Sequence, residues 1–456
     1  MTPTQPPPLP PGRSGLAHTL PLAIAAALGG LLFGFDIAII TGAGPFLERH
    51  FKLGHLALGW AFSSLLFGCV LGAAAGGWAS DRFGRRGPLL WVAALFALTS
   101  VATGIAPSFS LFIVARLLGG IAVGAVSVLA PLYVSEISPA ASRGRMGAIY
   151  QLAIVVGILV SYCINYLLRD AGDWNWRWMF LSGAVPSLVF FLMLRRSPET
   201  PRYLIKAGRP AEARVVLSRI DGAQAAETEC VAISASMADG AAGWDKFRAP
   251  GLRRALRASF FLAILIHVSG VNTVIDYAPR IFQSAGWTID TALLSTFLVG
   301  GVNLLFTLVS FWMIDRCGRK PCYLVGSLGM AAALSGLLVC ALTGHFAGPK
   351  VLVFVLLYLA FFASCIGPVF WTLVPEIFPN RVRGEAMTVP VLTQWLANAL
   401  VVLLFPWAFS VIGKEATFGF LAVMCLCQGL FSWRFLPETK GRTLEEIEGF
   451  WARRAG

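Results

Sequence analysis

SDRFGRR, residues 80–86, returns as IDRCGRK at residues 314–320, displaced by 234 positions. Three further pairs follow in the same order: GFDIAI (34–39) with GVNTVI (270–275), SEISPAASRG (135–144) with PEIFPNRVRG (375–384), and SPETPR (197–202) with LPETKGR (436–442), displaced by 236, 240 and 239. Four matches at nearly one displacement mark an internal duplication. With 57% hydrophobic and 13% charged residues over 456 positions, and a mean hydropathy of +0.73, the chain lies outside the range of water-soluble domains. Twelve apolar segments are long enough to cross a ~30 Å hydrocarbon core, with midpoints near residues 30, 67, 97, 121, 158, 186, 268, 302, 333, 362, 398 and 426. The expected fold class is therefore an all-α polytopic membrane protein: twelve transmembrane helices in two six-helix repeats of parallel orientation, suited to rocking about a midplane site.

Charge gives the expected orientation. With both termini cytoplasmic, seven of the 36 Lys and Arg fall in outer loops, Arg116 lies within the membrane, and the remaining 28 face inward. Such a bias is the positive-inside signature, so the net charge of +13 reads as topology rather than as nucleic-acid binding. None of the nine cysteines sits in an outer loop and no metal-binding CxxC spacing occurs, which predicts free thiols and no metal site. Residues 1–18, Pro-rich at the start, are expected to be a disordered cytoplasmic tail. They lack the basic start and cleavage site of a removable signal peptide, so the first helix is expected to persist. The halves should span 19–195 and 256–435, with an intracellular helical linker at 196–255 and a cytoplasmic tail at 436–456. Within the linker, Ala213, Val216, Leu217 and Ile220 recur at helical spacing and predict a short amphipathic helix packed under the bundle.

The duplicated charged motifs follow the second and eighth helices. Asp81, Arg82, Arg85 and Arg86, with Asp315, Arg316 and Arg319 in the second copy, can pair with Glu136 or Glu376, or lie near Arg143 and Arg383, at the ends of neighbouring helices. Anchoring alone would not require the same Asp, Gly and Arg order twice, so a charge latch joining the two halves on the cytoplasmic side is expected when the outside is open.

Together with RLLGGIAVG (116–124), GVNTVIDYAP (270–279), GPVFWTLVPEIFPNRVRGEA (367–386), QWLAN (394–398) and PETKGRTLEEIE (437–448), these motifs make the chain resemble the sugar porter branch of the major facilitator superfamily over residues 19 to 450. The resemblance implies alternating access for a monosaccharide or related polyol, with a short helical intracellular domain after the sixth helix. The chain is expected to act as a monomer in the cell (inner) membrane, without cofactor, nucleic acid or enzymatic chemistry. No nucleophile with an adjacent base and no phosphate-binding glycine loop appears.

Asp36 is six residues before Gly42, read as the outer end of the first helix, and Arg116 is six residues after Ser110. At ~1.5 Å per residue both lie roughly 10 Å below the outer surface, and an acid and a base at one depth are each costlier alone. Two readings stand: a static ion pair, or a proton site. Burial disfavours a charged carboxyl while a guanidinium favours it, so a conformational change that alters either loads or releases a proton. The resemblance supports the second, since proton-coupled bacterial members carry Asp and Arg at these places. It also implies that Gln151, Asn272, Asn303, Trp371, Gln394 and Trp395 line the sugar site. Gly367 and Pro368 interrupt the tenth helix beside Trp371 and are expected to form a gate.

Departures from the family pattern fall in the seventh helix. Ile266 and His267 replace two glutamines, and Asp276 with Tyr277 replaces a Tyr-Tyr pair. His267 can serve as a substrate contact, a member of the proton path, or a packed neutral imidazole. Asp276 shares a helical face with Asn272 and reads either as a second acid tuning gating, with Tyr277, or as a solvated residue near the outer end. On an unbroken helix His267 and Asp276 lie about 180° apart, a figure that a bend at Gly270 would change, and no direct pair is expected. The leading functional expectation is proton-linked symport of a hexose, pentose or polyol. Facilitative uniport is the alternative, and a sugar-sensing receptor of the same fold a third.

Overall fold

The computed structural model describes residues 13–138, 143–238, 250–379, 382–442, 446–447 and 450–451. Twelve helices in it are long and apolar enough to cross a membrane. In the first half, spans 1 to 6 are Ala27–Phe51, His55–Phe83, Arg86–Gly104, Phe109–Ile137, Met146–Leu167 and Gly172–Arg196. Spans 7 to 12 are Gly251–Asp276, Ile289–Ile314, Arg319–Leu342, Gly348–Glu376, Arg383–Ile412 and Lys414–Phe435. Their packing follows the duplication: span 1 lies on span 5 as span 7 lies on span 11, and the halves meet through span 2 on span 11 and its mate, span 8 on span 5.

Between the halves, helices Pro201–Lys206, Pro210–Asp221 and Ala223–Ala238 pack beside the bundle. Ala213, Val216, Leu217 and Ile220 are buried, as their spacing predicts, and the helix that carries them touches the helix Arg13–Phe51, which contains span 1. The face bearing these helices is called the linker face below.

The helix containing span 1 runs unbroken from Arg13 to Phe51, which corrects two expectations. Its start lies inside the stretch read as a disordered tail. Its far end lies well beyond Gly42, and that glycine marks contact rather than termination: a Cβ there would sit 2.4 Å from the Asn165 side chain of span 5.

The duplicated charged motifs turn out to be folding units of each half. Gly84 (φ +85°) and Gly318 (φ +89°) make the turns after spans 2 and 8 in the left-handed region, where a side chain is strained. Beside each turn a glutamate caps the next helix. Glu199 accepts from the Arg85 and Arg86 amides at 3.0 and 3.2 Å, and Glu438 accepts from the Arg319 and Lys320 amides at 3.0 Å each. A carboxylate at a helix N-terminus satisfies orphan donors and opposes the helix dipole. Arg85 then pairs with Glu136 at 2.8 Å and Arg319 with Glu376 at 2.7 Å.

In this conformation each of these ion pairs joins elements of one half, and the latch between the halves is expected only in the conformation open on the opposite face. Of the remaining latch candidates, Arg86 donates to the Leu194 and Arg195 carbonyls and Asp81 pairs with Lys206 of the linker. Arg82 and Arg316 lie over Trp78 and Trp312, while Arg383 donates to the Phe378 carbonyl. The side chains of Arg143 and Asp315 lie outside the described residues. The physical reason is local: a tight turn brings its arginine to the end of the helix packed beside it, within hydrogen-bond reach, before any inter-half contact is needed.

Candidate transport site

On the face opposite the linker the halves are locked together. Phe62 of span 2 stacks on Tyr277 at 4.3 Å, and Tyr277 stacks on Phe405 of span 11 at 5.2 Å. The Tyr277 hydroxyl donates to the Val402 carbonyl at 3.0 Å. Arg280 binds both carboxylate oxygens of Glu48 at 3.0 Å, and Arg169 reaches Asp290 at 3.1 Å. Only a cleft of about 30 Å³ remains between Glu48, Phe62, Asp276 and Arg280. On the linker face, among the described residues, no comparable ion pair joins the halves. The conformation is closed away from the linker.

Within the first half, Asp36 Oδ1 meets Arg116 Nη1 at 3.0 Å, and the same nitrogen reaches the Asp36 carbonyl at 3.2 Å. The guanidinium is 2% exposed and lies over the Phe180 ring at 5.4 Å. Its Nε and Nη2 are buried without hydrogen-bond partners, so among the described residues Asp36 is the one carboxylate in direct contact with that charge. The two residues therefore meet as their depths suggested, although the helix end used to measure Asp36 was misplaced.

The expected sugar contacts divide into groups. Gln394 and Trp395 of span 11 are each 5% exposed. Gln394 lies beside His267, whose two ring nitrogens are buried and unpartnered, as is Trp395 Nε1. Asn303 is buried at 9% exposure, whereas Gln151 and Asn272 are half-buried. Trp371 is 42% exposed and packs edge-on against Phe370 at 5.5 Å. Buried donors and acceptors without partners are costly unless a ligand or water supplies them, and a sugar offers hydroxyls able to satisfy both kinds.

A bridge connects the two regions. Trp395 meets Phe33 at 5.8 Å, and Phe33 is one turn from Asp36 on span 1. Span 1 thus presents its carboxylate to Arg116 and its aromatic ring to the second half.

Span 7 is broken where the sequence left an unbroken helix as the working geometry. The helix Pro250–Val268 ends, Gly270 adopts φ +91°, and a second segment, Val271–Asp276, follows. His267 and Asp276 consequently belong to different segments. Asp276 is 5% exposed, which removes the reading of a solvated residue, and no hydrogen bond or ion pair holds it among the described residues. Span 10 breaks as predicted, at Ile366, between Gly348–Cys365 and Gly367–Glu376, with Pro368 in the first turn of the second segment.

Sequence reading missed three features. Asn398 is 1% exposed with an unpartnered Nδ2, and its position four residues after Gln394 could have flagged it. Tyr162 and Asn165 of span 5 carry buried unpartnered polar atoms. The Glu48–Arg280 and Arg169–Asp290 pairs were invisible, because the charges were counted for topology and nothing local links them.

The model of the family "Sugar (and other) transporter" matches residues 22–451. The D-xylose-proton symporter of Escherichia coli (strain K12) is 36% identical, covering 95% of this chain and 96% of its own. The arabinose-proton symporter of Bacillus subtilis (strain 168) is 36% identical, covering 99% of both. The glucose facilitated diffusion protein of Zymomonas mobilis is 39% identical, covering 94% of this chain and 97% of its own. Among solved structures, the inward open conformation of the xylose transporter from E. coli matches with a TM-score of 0.84 at 35% identity, covering 94% of this chain and 99% of its own. The proton:xylose symporter bound to 6-bromo-6-deoxy-D-glucose matches at 0.79 and 35%, covering 96% and 100%. With its duplicated halves, its buried acid and base, and these matches over nearly its whole length, the chain belongs to the sugar transporter family of the major facilitator superfamily.

Proposed function

We propose that this protein imports a monosaccharide, a pentose or hexose, together with protons by alternating access, and that Asp36 carries the proton. The observation that carries the reading is the buried Asp36–Arg116 pair on a helix that also touches span 11 through Phe33 and Trp395. Protonating Asp36 weakens its hold on Arg116, and a change in that contact moves the helix that lines both regions. Sugar occupies the unpartnered polar groups of His267, Trp395 and Asn398, with Gln394, Gln151, Asn272, Asn303 and Trp371 completing the site. Two of the relatives named above are proton symporters of pentoses, which favours a pentose as first candidate.

The linker face is read as cytoplasmic, in keeping with the placement of Lys and Arg, and the protein as a resident of the cell inner membrane. The present conformation is then open inward. Return to the outside separates Glu48 from Arg280 and Tyr277 from Phe62, while Gly270 and the Ile366–Gly367 break supply the bending points of spans 7 and 10. The halves 19–195 and 256–435 move as the two bodies.

Facilitated diffusion is the second reading, favoured by the glucose facilitator at 39% identity. Uptake into proteoliposomes separates the two. A proton moving through ~100 mV supplies about 2.3 kcal/mol, or roughly fiftyfold accumulation of a neutral sugar. Xylose, arabinose and glucose are offered with and without an imposed gradient. Accumulation that follows the gradient supports symport, and equilibration that ignores it establishes uniport.

A further inference from the structure

On the linker face, spans 7 and 12 enclose a groove of about 460 Å³ lined by Arg254, Arg257, Phe261, Phe431, Arg434 and Trp451. It is remote from the sugar site: its arginines stand in the opening turns of the helix Pro250–Val268 and the last turn of span 12. Among the described residues none of the three arginines has a carboxylate partner, although elsewhere on this face Arg85 and Arg319 do. Arg254 Nη1 and Trp451 Nε1 are buried and donate to nothing. The groove therefore combines positive charge, which favours an anion, with two buried donors that lack an acceptor.

Its other lining is aromatic. Phe261 packs on Phe431 at 6.2 Å and Phe431 on Phe435 at 5.1 Å, while Phe261 and Phe435 remain about half exposed, at 50% and 48%. A soluble phosphate ester would satisfy the arginines and leave this apolar wall bare. A phospholipid satisfies both, with its phosphate among the arginines and an acyl chain along the phenylalanines, at the height where span ends meet the headgroups. Basic pockets between transmembrane helices bind anionic headgroups in this way.

We propose that this groove is a binding site for one anionic phospholipid of the leaflet on the linker face, held by Arg254, Arg257, Arg434 and Trp451. The site ties the first helix segment of span 7 to span 12, so its occupant braces the part of span 7 that precedes the Gly270 break.

Native mass spectrometry of the full chain in detergent tests this, with phosphatidylglycerol, phosphatidylcholine and glycerol 3-phosphate as probes. One phosphatidylglycerol is expected to survive activation that strips phosphatidylcholine, and glycerol 3-phosphate alone is expected not to be retained. Each arginine replaced by glutamine should weaken the lipid about fivefold. Arg257→Gln, at an exposed position, provides a single variant whose folding is checked by its thermal midpoint and its sugar counterflow. Equal retention of the two lipids, retention of phosphatidylglycerol by Arg257→Gln and by the triple glutamine variant as in the parent, or binding of glycerol 3-phosphate as tight as the lipid would each overturn the assignment.

Discussion

Spans 1 and 7 descend from one repeat and have become opposites. At matched positions, Gly34 and Asp36 face Gly270 and Asn272. Gly34 lies inside a helix unbroken from Arg13 to Phe51, because span 5 comes so close that a Cβ would stand 1.9 Å from the Ile154 carbonyl oxygen. Gly270 instead adopts φ +91° and breaks its helix. The same residue type serves close approach in one half and a turn in the other. Two residues on, the first half holds a titratable acid paired with Arg116 and the second a neutral amide. On the proposed reading, the unbroken span 1 carries the proton and the jointed span 7 contacts the sugar.

The largest test removes the base from span 1's partner. Arg116→Met leaves Asp36 buried without its cation, and breaking a buried pair in this way costs about 3–5 kcal/mol. The thermal midpoint of the purified protein should fall accordingly. Adding Asp36→Asn to the same chain should restore most of the loss, and a double variant no more stable than Arg116→Met would show that the two residues are not coupled.

Asp36→Asn alone makes span 1 resemble span 7. Accumulation under a proton gradient of ~100 mV should drop by roughly fiftyfold, to simple equilibration, while sugar counterflow continues. Undiminished accumulation in this variant would remove Asp36 from the coupling path and with it the proposed division.

The two glycines give the next effect. Gly34→Ala drives a methyl into backbone that cannot yield, and overpacking of this kind costs about 1–3 kcal/mol. Gly270→Ala meets the flexible end of Leu421 at 2.7 Å and a left-handed backbone worth about 1–2 kcal/mol. Leu421→Ala should relieve part of the second defect and none of the first, as read from thermal midpoints. Equal relief of both would mean that one constraint, not two, keeps glycine at these positions.

Much of this contrast was legible in the sequence. The duplication, the twelve crossings and the Asp36–Arg116 partnership follow from spacing, because membrane helices have fixed rise and a lone buried charge is costly. The break at Ile366 announced itself through Gly367 and Pro368. Gly270 gave a weaker signal, a bend at most, since glycine inside a membrane helix also serves packing, as Gly34 and Gly42 do. The charged motifs were legible as a repeat but not as caps. That Glu199 and Glu438 approach amides more than 110 residues away in sequence depends on how span 6 returns beside the turn after span 2, and span 12 beside the turn after span 8. The contacts closing the face opposite the linker are likewise products of the docked halves.

The finest test concerns the acid that span 7 does carry. Asp276 is 5% exposed, without a hydrogen bond or ion pair among the described residues, and lies in the cleft below the Glu48–Arg280 pair. Tyr277 is its chain neighbour, while Arg280 lines the same cleft but spends its hydrogen bonds on Glu48, His55 and Ser410. A charged carboxylate there would face only Arg116, beyond hydrogen-bond reach and already held by Asp36, so the closed face is best satisfied by the neutral form. Asp276→Asn imitates that form in nearly the same volume. It should raise the thermal midpoint slightly, by the equivalent of about 1 kcal/mol or less, and change gradient-driven accumulation by less than about twofold. If accumulation instead collapsed as in Asp36→Asn, span 7 would hold a second coupling acid, and the two spans would be alike in chemistry after all, differing only in the joint at Gly270.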